Sequence, residues 1–168
     1  MRFKALMLTL VLLLPGCLDS EGEEIRFNGR NLEGSDVYMF TLEDSKGPLW
    51  NLTEQEGKVV VLAFIFTRCD NTCPVTSQNL KVVYESLTED ELTKVSFVSV
   101  TVDWRHDSPS ELNNWSDRMG YDWPHLTGAK QALDPVYENY GVFPVEQGDD
   151  SDEGYTVCLL YTSPSPRD

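Results

Sequence analysis

The chain has 168 residues, 13 of them Lys or Arg and 28 Asp or Glu, so its formal net charge at pH 7 is −15. This length is sufficient for one domain with a buried core and too short for two. A surface this acidic repels phosphate backbones, so nucleic acid is not an expected partner.

Residues 1–16 are predicted to form a signal peptide. Arg2 and Lys4 give a short positive segment, and the apolar run from Ala5 to Leu14 follows it. A helix that crosses a bilayer needs roughly 20 apolar residues, so this run fits an export signal better than a membrane span.

The signal ends in Leu14-Pro15-Gly16-Cys17, which resembles the lipobox of prokaryotic lipoproteins, although Pro15 is unusual at its position. The resemblance implies that Cys17 receives lipid and that residues 17–33 form a lipid anchor and an acidic linker. The protein is therefore expected to be exported and anchored to the outer face of the prokaryotic cytoplasmic membrane. An ordinary signal peptide and an uncleaved anchor are the alternatives, and each also exports the protein.

The first elements of the body are a hairpin and a buried strand. Apolar and polar residues alternate near the start of the hairpin predicted over 37–52, and Ser45–Pro48 is a turn sequence. The unbroken apolar run Val59–Phe66 predicts a central strand that is buried on both faces.

Helices and strands then alternate. The helix predicted after Cys73 has an apolar face. It is made by residues at i, i+3, i+4 and i+7, namely Leu80, Val83, Tyr84 and Leu87. The later predictions are a strand over 95–102, a helix over 110–119, a strand over 123–126 and a helix over 130–140. The alternation indicates an α/β domain over residues 34–157, with a largely parallel sheet and a thioredoxin-like order of elements.

Cys69 and Cys73 directly follow the predicted central strand. Cys73 falls in the first turn of the next helix, where backbone N–H groups and the helix dipole stabilise a thiolate, and Arg68 adds a nearby cation. Cys69 can fold back onto Cys73, so the pair can close a disulfide or hold a soft metal ion. A closed zinc site or an iron–sulfur cluster would need ligands that the sequence does not show.

The residues around this pair resemble a known family signature. Phe64–Pro74 is similar to the F-x-F-T-x-C-x-x-x-C-P motif of the Sco/SenC family. Thr101–Pro109 resembles the family's V-D-P-x-x-D-T-P segment, and Trp123–Gly128 resembles its W-x-x-L-T-G segment. The resemblance extends over about residues 37–157 and implies the thioredoxin-like fold.

The resemblance also implies a function. Sco proteins are tethered to a membrane, bind copper through the two motif cysteines and one histidine, and act on the copper A centre of cytochrome c oxidase. Carried over, Cys69 and Cys73 are the copper ligands and the redox dithiol of a metallochaperone or thiol reductant. The alternative is a membrane-anchored thiol–disulfide oxidoreductase that uses the same two cysteines without metal, and a third reading is a purely structural disulfide.

The histidine of the family pattern is absent. His106 and His125 are the only histidines, and neither occupies the ligand position, so each is expected to be a surface or partly buried imidazole. The family ligand lies in a later hairpin, whose beginning Tyr155–Val157 matches.

Residues 158–168 then depart from the family pattern. They match a translated transposase-type sequencing adaptor, and their prolines disfavour a strand. We therefore expect residues 158–168 to be a non-native tail, Cys158 not to be a ligand, and the final hairpin and helix to be missing.

Two acids follow the second predicted strand, Asp103 and Asp107, where family members keep acids near the copper loop. They are expected either to tune the site or dock the partner, or simply to cap the loop.

Overall fold

A computed structural model describes residues 37–69, 72–142, 144 and 160–164; it describes only the backbone of residues 72, 73 and 160–164. The predicted signal peptide, the Cys17 anchor and the acidic linker therefore lie outside the described residues. The elements, in chain order, are β1 (Thr41–Asp44), β2 (Trp50–Asn51), a 3-10 helix (Leu52–Gln55), β3 (Val59–Ile65), α1 (Thr72–Ser86), α2 (Glu89–Leu92), β4 (Val95–Thr101), α3 (Pro109–Met119), β5 (His125–Thr127), α4 (Lys130–Asn139) and β6 (Leu160–Pro164).

These strands form one sheet in the order β2-β1-β5-β4-β3-β6. The central strands β3, β4 and β5 are parallel, while β1 pairs antiparallel with both β2 and β5. The prediction of an α/β fold with an N-terminal hairpin and a parallel centre is confirmed. None of the helices among the described residues is both long and apolar enough to span a bilayer.

Strand β3 is the centre of the core because both of its faces are apolar. Leu62 and Phe64, with Phe66 directly after the strand, belong to one of the two core clusters. Ala63 and Ile65 belong to the cluster on the other face, as the two-residue period of a strand requires. The buried strand predicted from the sequence is confirmed, and its carboxyl end leads directly into Cys69.

Helix α1 buries a slightly different face from the predicted one. Leu80 is buried, and Tyr84 and Leu87 pack against the same core cluster. Val83, however, is 49% exposed, so its prediction as a core residue is wrong. The buried stripe is centred between Leu80 and Tyr84 and includes the buried Ser77, which places Val83 at the edge of the stripe.

The prediction that the tail would not enter the sheet is wrong for the backbone of β6. This strand pairs antiparallel with β3, with Leu160 opposite Ala63 and Pro164 opposite Val59. Two features permit this pairing. Strand β6 lies at the edge of the sheet, and Pro164 is its last residue, so the N–H that proline lacks is at the end of the hydrogen-bond ladder with β3. The origin of residues 158–168 stays a prediction, because a backbone pairing does not test it.

His125 is completely buried, which corrects the expectation of a surface or partly buried imidazole. Its ring lies 5.4 Å from that of Trp115, 6.3 Å from that of Tyr121 and 5.6 Å from that of Trp123. Neither ring nitrogen has a partner of normal hydrogen-bond geometry among the described residues. Burial lowers the pKa of His125 to about 4; the backbone of Tyr121 opposes the shift only in part, and Lys46 adds to it.

This burial predicts acid sensitivity. The pKa of His125 is about 4 in the folded chain and 6.5 in the unfolded chain, so the unfolded state binds more protons between these values. The free energy of unfolding should therefore fall as the pH drops from 6.5 towards 4, by up to about 3 kcal/mol. Urea unfolding of wild type and His125→Phe, followed by tryptophan fluorescence at several pH values, isolates this contribution. An unchanged pH dependence in His125→Phe would contradict it.

Candidate metal centre

The carboxyl end of β3 positions the first cysteine. After Phe66 the chain turns, and the Cys69 N–H donates to the Phe66 carbonyl over 3.4 Å. The Cys69 side chain is half-buried and packs against the core cluster that contains Phe64 and Phe66. The half-burial keeps one side of Cys69 fixed against the fold while the rest faces outward.

The backbone of Cys73 lies in the first turn of α1, which confirms its predicted place in the helix. Its side chain lies outside the described residues, as do Asp70 and Asn71. Among the side chains that the structure describes, no three of His, Cys, Asp or Glu are grouped to hold a metal ion.

A buried carboxylate fixes the turn that carries Cys69. Asp107 is completely buried and accepts hydrogen bonds from the Thr67 N–H and the Thr67 hydroxyl. It also accepts one from the Thr101 hydroxyl at the end of β4. These three hydrogen bonds join the ends of two neighbouring strands.

The surroundings of Asp107 act on its charge in opposite directions. Burial raises the pKa of the Asp107 carboxyl above its ordinary value, and the nearby charge of Asp103 acts in the same direction. The hydrogen bonds from Thr101 and Thr67 lower it. The carboxylate is thus costly to bury and depends on its three donors.

The second acid, Asp103, holds the residue next to Cys69. Its Oδ2 accepts from Arg68 Nη2 at 2.9 Å and from Arg68 Nε at 3.2 Å. His106 Nδ1 lies 2.8 Å from Asp103 Oδ1 and 2.8 Å from Arg68 Nη2. Asp103 is completely buried, whereas the Arg68 side chain is 46% exposed and that of His106 is 50% exposed.

Backbone contacts make the loop between β4 and α3 a compact support. The N–H groups of His106 and Asp107 both donate to the Asp103 carbonyl. Ser108 caps α3, with its side chain accepting from the Glu111 N–H. The two acids therefore lie on a loop that is held at both ends, and both contact the Thr67–Cys69 turn.

Both acids lie next to the cysteine loop, as expected, and their bonds to Thr67 and Arg68 agree with the loop-capping alternative, while a role in tuning the site or docking a partner stays a prediction. The sequence did not predict the roles of Thr67 and Thr101, whose hydroxyl groups donate hydrogen bonds to Asp107. His106 is exposed, as expected, and its contacts with Asp103 and Arg68 were not predicted. The available signal was register: the residues that follow two adjacent parallel strands meet at the same sheet edge.

The placement of Cys69 and Cys73 on the fold is typical of one class of protein. The first follows the central parallel strand and the second opens the next helix, as in thioredoxin-like proteins, whose chemistry depends on a thiolate at a helix N-terminus. The fold is therefore a thioredoxin-like fold.

The family follows from comparison. The chain matches the SCO1/SenC family over residues 31–158 and belongs to that family. It is 28% identical over 119 residues to the SCO2-like protein of Rickettsia felis, covering 70% of this chain. The chain spans 55–58% of the length of the first curated relatives that it matches.

Solved structures show the same fold. Apo Sco1 from Thermus thermophilus has a TM-score of 0.65 and 28% identity, covering 85% of this chain and 81% of that chain. Copper-bound ScoI from Bradyrhizobium japonicum has a TM-score of 0.63 and 21% identity, covering 76% of this chain and 78% of that chain.

Asp107→Asn should destabilise the protein. The amide accepts hydrogen bonds at one oxygen only, so its NH2 group would face a donor of Thr67 or Thr101. We expect a loss of about 3 kcal/mol in the free energy of unfolding, measured by urea denaturation at pH 7.5. Asp134→Asn is the matched control, since Asp134 forms only an exposed ion pair with Lys130 and its loss should cost below about 0.5 kcal/mol. Equal losses of stability in the two variants would contradict the role of Asp107 in fixing the turn before Cys69.

Proposed function

We propose that this protein is a copper-binding metallochaperone and thiol reductant that serves assembly of the copper A centre of cytochrome c oxidase. The observation that supports the proposal most directly is that, in a chain of the SCO1/SenC family, two buried acids fix the turn that leads to Cys69. Asp107 and Asp103 hold Thr67 and Arg68, the two residues before Cys69. A fixed turn keeps one ligand in place while the cargo ion enters and leaves.

The donor set fits copper(I) as cargo. Cys69 and Cys73 offer two thiolates, and soft thiolate ligands select copper(I) over hard cations. The copper-bound state of the Bradyrhizobium relative agrees with this choice of metal. We propose a histidine encoded beyond Val157 as the third ligand, because His125 is buried among aromatic rings and His106 is engaged by Asp103.

The same dithiol supports a second candidate function, a thiol–disulfide oxidoreductase without metal. Cys73 belongs to the first turn of α1, where a thiolate is stabilised, and this suits disulfide exchange as well as copper binding. The two functions need the same cysteines and differ in whether copper binds. Metal affinity therefore separates them.

Copper(I) affinity tests the proposal. The full chain, reduced and without oxygen, is titrated against a chromophoric copper(I) chelator at pH 7. Cys69→Ser and Cys73→Ser should each weaken copper(I) binding by at least about 100-fold, since each removes one of two soft ligands. Retained affinity in both variants would exclude these cysteines as ligands, and absence of binding in the wild type would favour the oxidoreductase.

The other two cysteines provide matched controls. Cys158→Ser should keep the wild-type affinity within about threefold, because Cys158 is not part of the proposed ligand set. Cys17→Ser should also bind copper normally. In cells, however, it should leave the membrane fraction, because we propose that Cys17 carries the lipid that anchors the exported protein.

Reading the gene through and past the codon for Val157 tests the third ligand. We expect a histidine within a few codons, and a chain extended through it should bind copper more tightly than Cys69 and Cys73 alone can, by about tenfold or more. A native continuation without a histidine would instead favour the thiol–disulfide oxidoreductase that works without metal.

A further inference from the structure

His106 contacts two charged side chains that make opposite demands on one of its ring nitrogens. Its Nδ1 is 2.8 Å from Asp103 Oδ1 and 2.8 Å from Arg68 Nη2. Arg68 also donates to Asp103 Oδ2 from both Nε and Nη2. The three side chains therefore form a closed triangle, in which Arg68, the residue before Cys69, and the exposed His106 share one buried carboxylate.

A single ring nitrogen cannot satisfy both of these neighbours at once. The in-plane position of Nδ1 holds either a proton or a lone pair. With a proton, Nδ1 donates to the Asp103 carboxylate but opposes the Arg68 guanidinium, which has donors only. With a lone pair, Nδ1 accepts from Arg68 Nη2 but faces an oxygen of Asp103. The triangle therefore has two arrangements, and the proton on Nδ1 decides between them.

The arrangement in which His106 accepts holds Arg68 more firmly. The guanidinium then makes three hydrogen bonds, two to Asp103 Oδ2 and one to His106 Nδ1. A protonated ring removes the third bond, and it brings a second positive charge to the same carboxylate. Asp103 has no exposure to solvent, so water screens the competition of the two cations for it only weakly. Arg68 should therefore be held firmly beside the neutral ring and loosely beside the charged ring.

Other titratable and charged groups lie on the two segments that carry the triangle. Arg105 and Asp107 are on the same loop as His106; the guanidinium of Arg105 lies over the Trp104 ring, and the buried Asp107 carboxylate accepts from hydroxyl and amide donors. The facing turn carries the thiol of Cys69. All of these groups stay in place when His106 alone is changed, so a comparison of His106 variants isolates the contribution of its ring.

We propose that His106 is a positioning residue whose proton controls how firmly Arg68, and with it the turn before Cys69, is held. The neutral ring accepts from Arg68, and a proton bound at Nδ1 turns the ring to Asp103 and releases this contact. Histidine suits the task because its side chain ordinarily changes charge between about pH 5 and pH 8. The inference rests on the proposed function, since it makes the hold on copper(I) depend on pH.

The main chain transmits the difference to the proposed copper site. Cys69 directly follows Arg68, whereas Thr67 is held separately by Asp107. When Nδ1 is protonated, the turn keeps its anchor at Thr67 and loses part of its anchor at Arg68. A ligand that is less fixed must be ordered when copper(I) binds, which lowers the affinity. Acid should therefore weaken copper(I) binding through His106, in addition to any effect of pH on the thiols.

Nitrogen NMR of the full, copper-free chain tests the proton directly. His106 and His125 are the only histidines of the chain, so comparison with His125→Phe assigns the ring signals. At about pH 8 the His106 Nδ1 should have the chemical shift of a bare ring nitrogen, and at about pH 5.5 that of a protonated one. The relaxation of Arg68 Nε should show greater mobility at the lower pH. A protonated Nδ1 at pH 8, or equal mobility of Arg68 at both pH values, would overturn the proposal.

Two substitutions imitate the two forms of the ring. His106→Asn places an amide oxygen near the position of Nδ1, which accepts from Arg68 and does not gain a proton in this pH range. His106→Lys places a permanent cation there and no acceptor. The copper(I) affinities of wild type and His106→Asn should agree within about twofold at pH 8, whereas at pH 5.5 the wild type should bind about fivefold more weakly than His106→Asn. His106→Lys should bind about fivefold more weakly than wild type already at pH 8.

His125→Phe is the matched control, since it removes the other imidazole of the chain. Burial lowers the pKa of His125 to about 4, so this ring is uncharged at both pH values, and its loss should leave the pH dependence of copper(I) affinity within about twofold of wild type. An equal pH dependence in wild type and His106→Asn would contradict the role of His106. A wild type that binds no copper(I) at either pH would instead refute the proposed function, and the NMR measurement would still decide the role of His106. Unchanged tryptophan fluorescence confirms that each variant keeps its fold.

Discussion

The site depends on one buried carboxylate. Asp107 joins the end of β3 to the end of β4 through Thr67 and Thr101, and it does so from a position with no exposure to solvent. Burying a charge is unfavourable unless it is hydrogen-bonded, so these three donors and the carboxylate require one another. This mutual requirement ties the turn before Cys69 to the end of β4.

The two acids have different tasks although they share a loop. Asp107 binds only uncharged donors and therefore fixes geometry. Asp103 binds the Arg68 guanidinium and contacts His106, so it controls where positive charge lies. A buried ion pair contributes little net stability by itself, because desolvation offsets the attraction. The more direct consequence of the Asp103–Arg68 pair is the fixed position of the residue that precedes Cys69.

The sequence predicted those features that depend on local pattern. The apolar run of β3, the hairpin before it and the helix that begins near Cys73 follow from periodicity, and the structure confirms them. It did not predict the exposure of Val83 or the complete burial of His125, since both depend on which neighbouring elements pack there. The pairing of β6 was missed for a similar reason: an open edge of β3 accepts a strand whose own composition does not favour one.

The contacts of the site were predictable only in part. Adjacent parallel strands bring the residues that follow them to one edge, which is why acids after β4 lie near cysteines after β3. The identity of each partner depends on loop conformation, which periodicity does not encode. Because Asp103 and Asp107 are buried while Arg68 is half exposed, the bonds that fix the cysteine turn also set the sign of the charge that faces solvent. Asp103 therefore links the position of the turn to the position of the Arg68 charge, whereas Asp107 acts on the geometry of the turn alone.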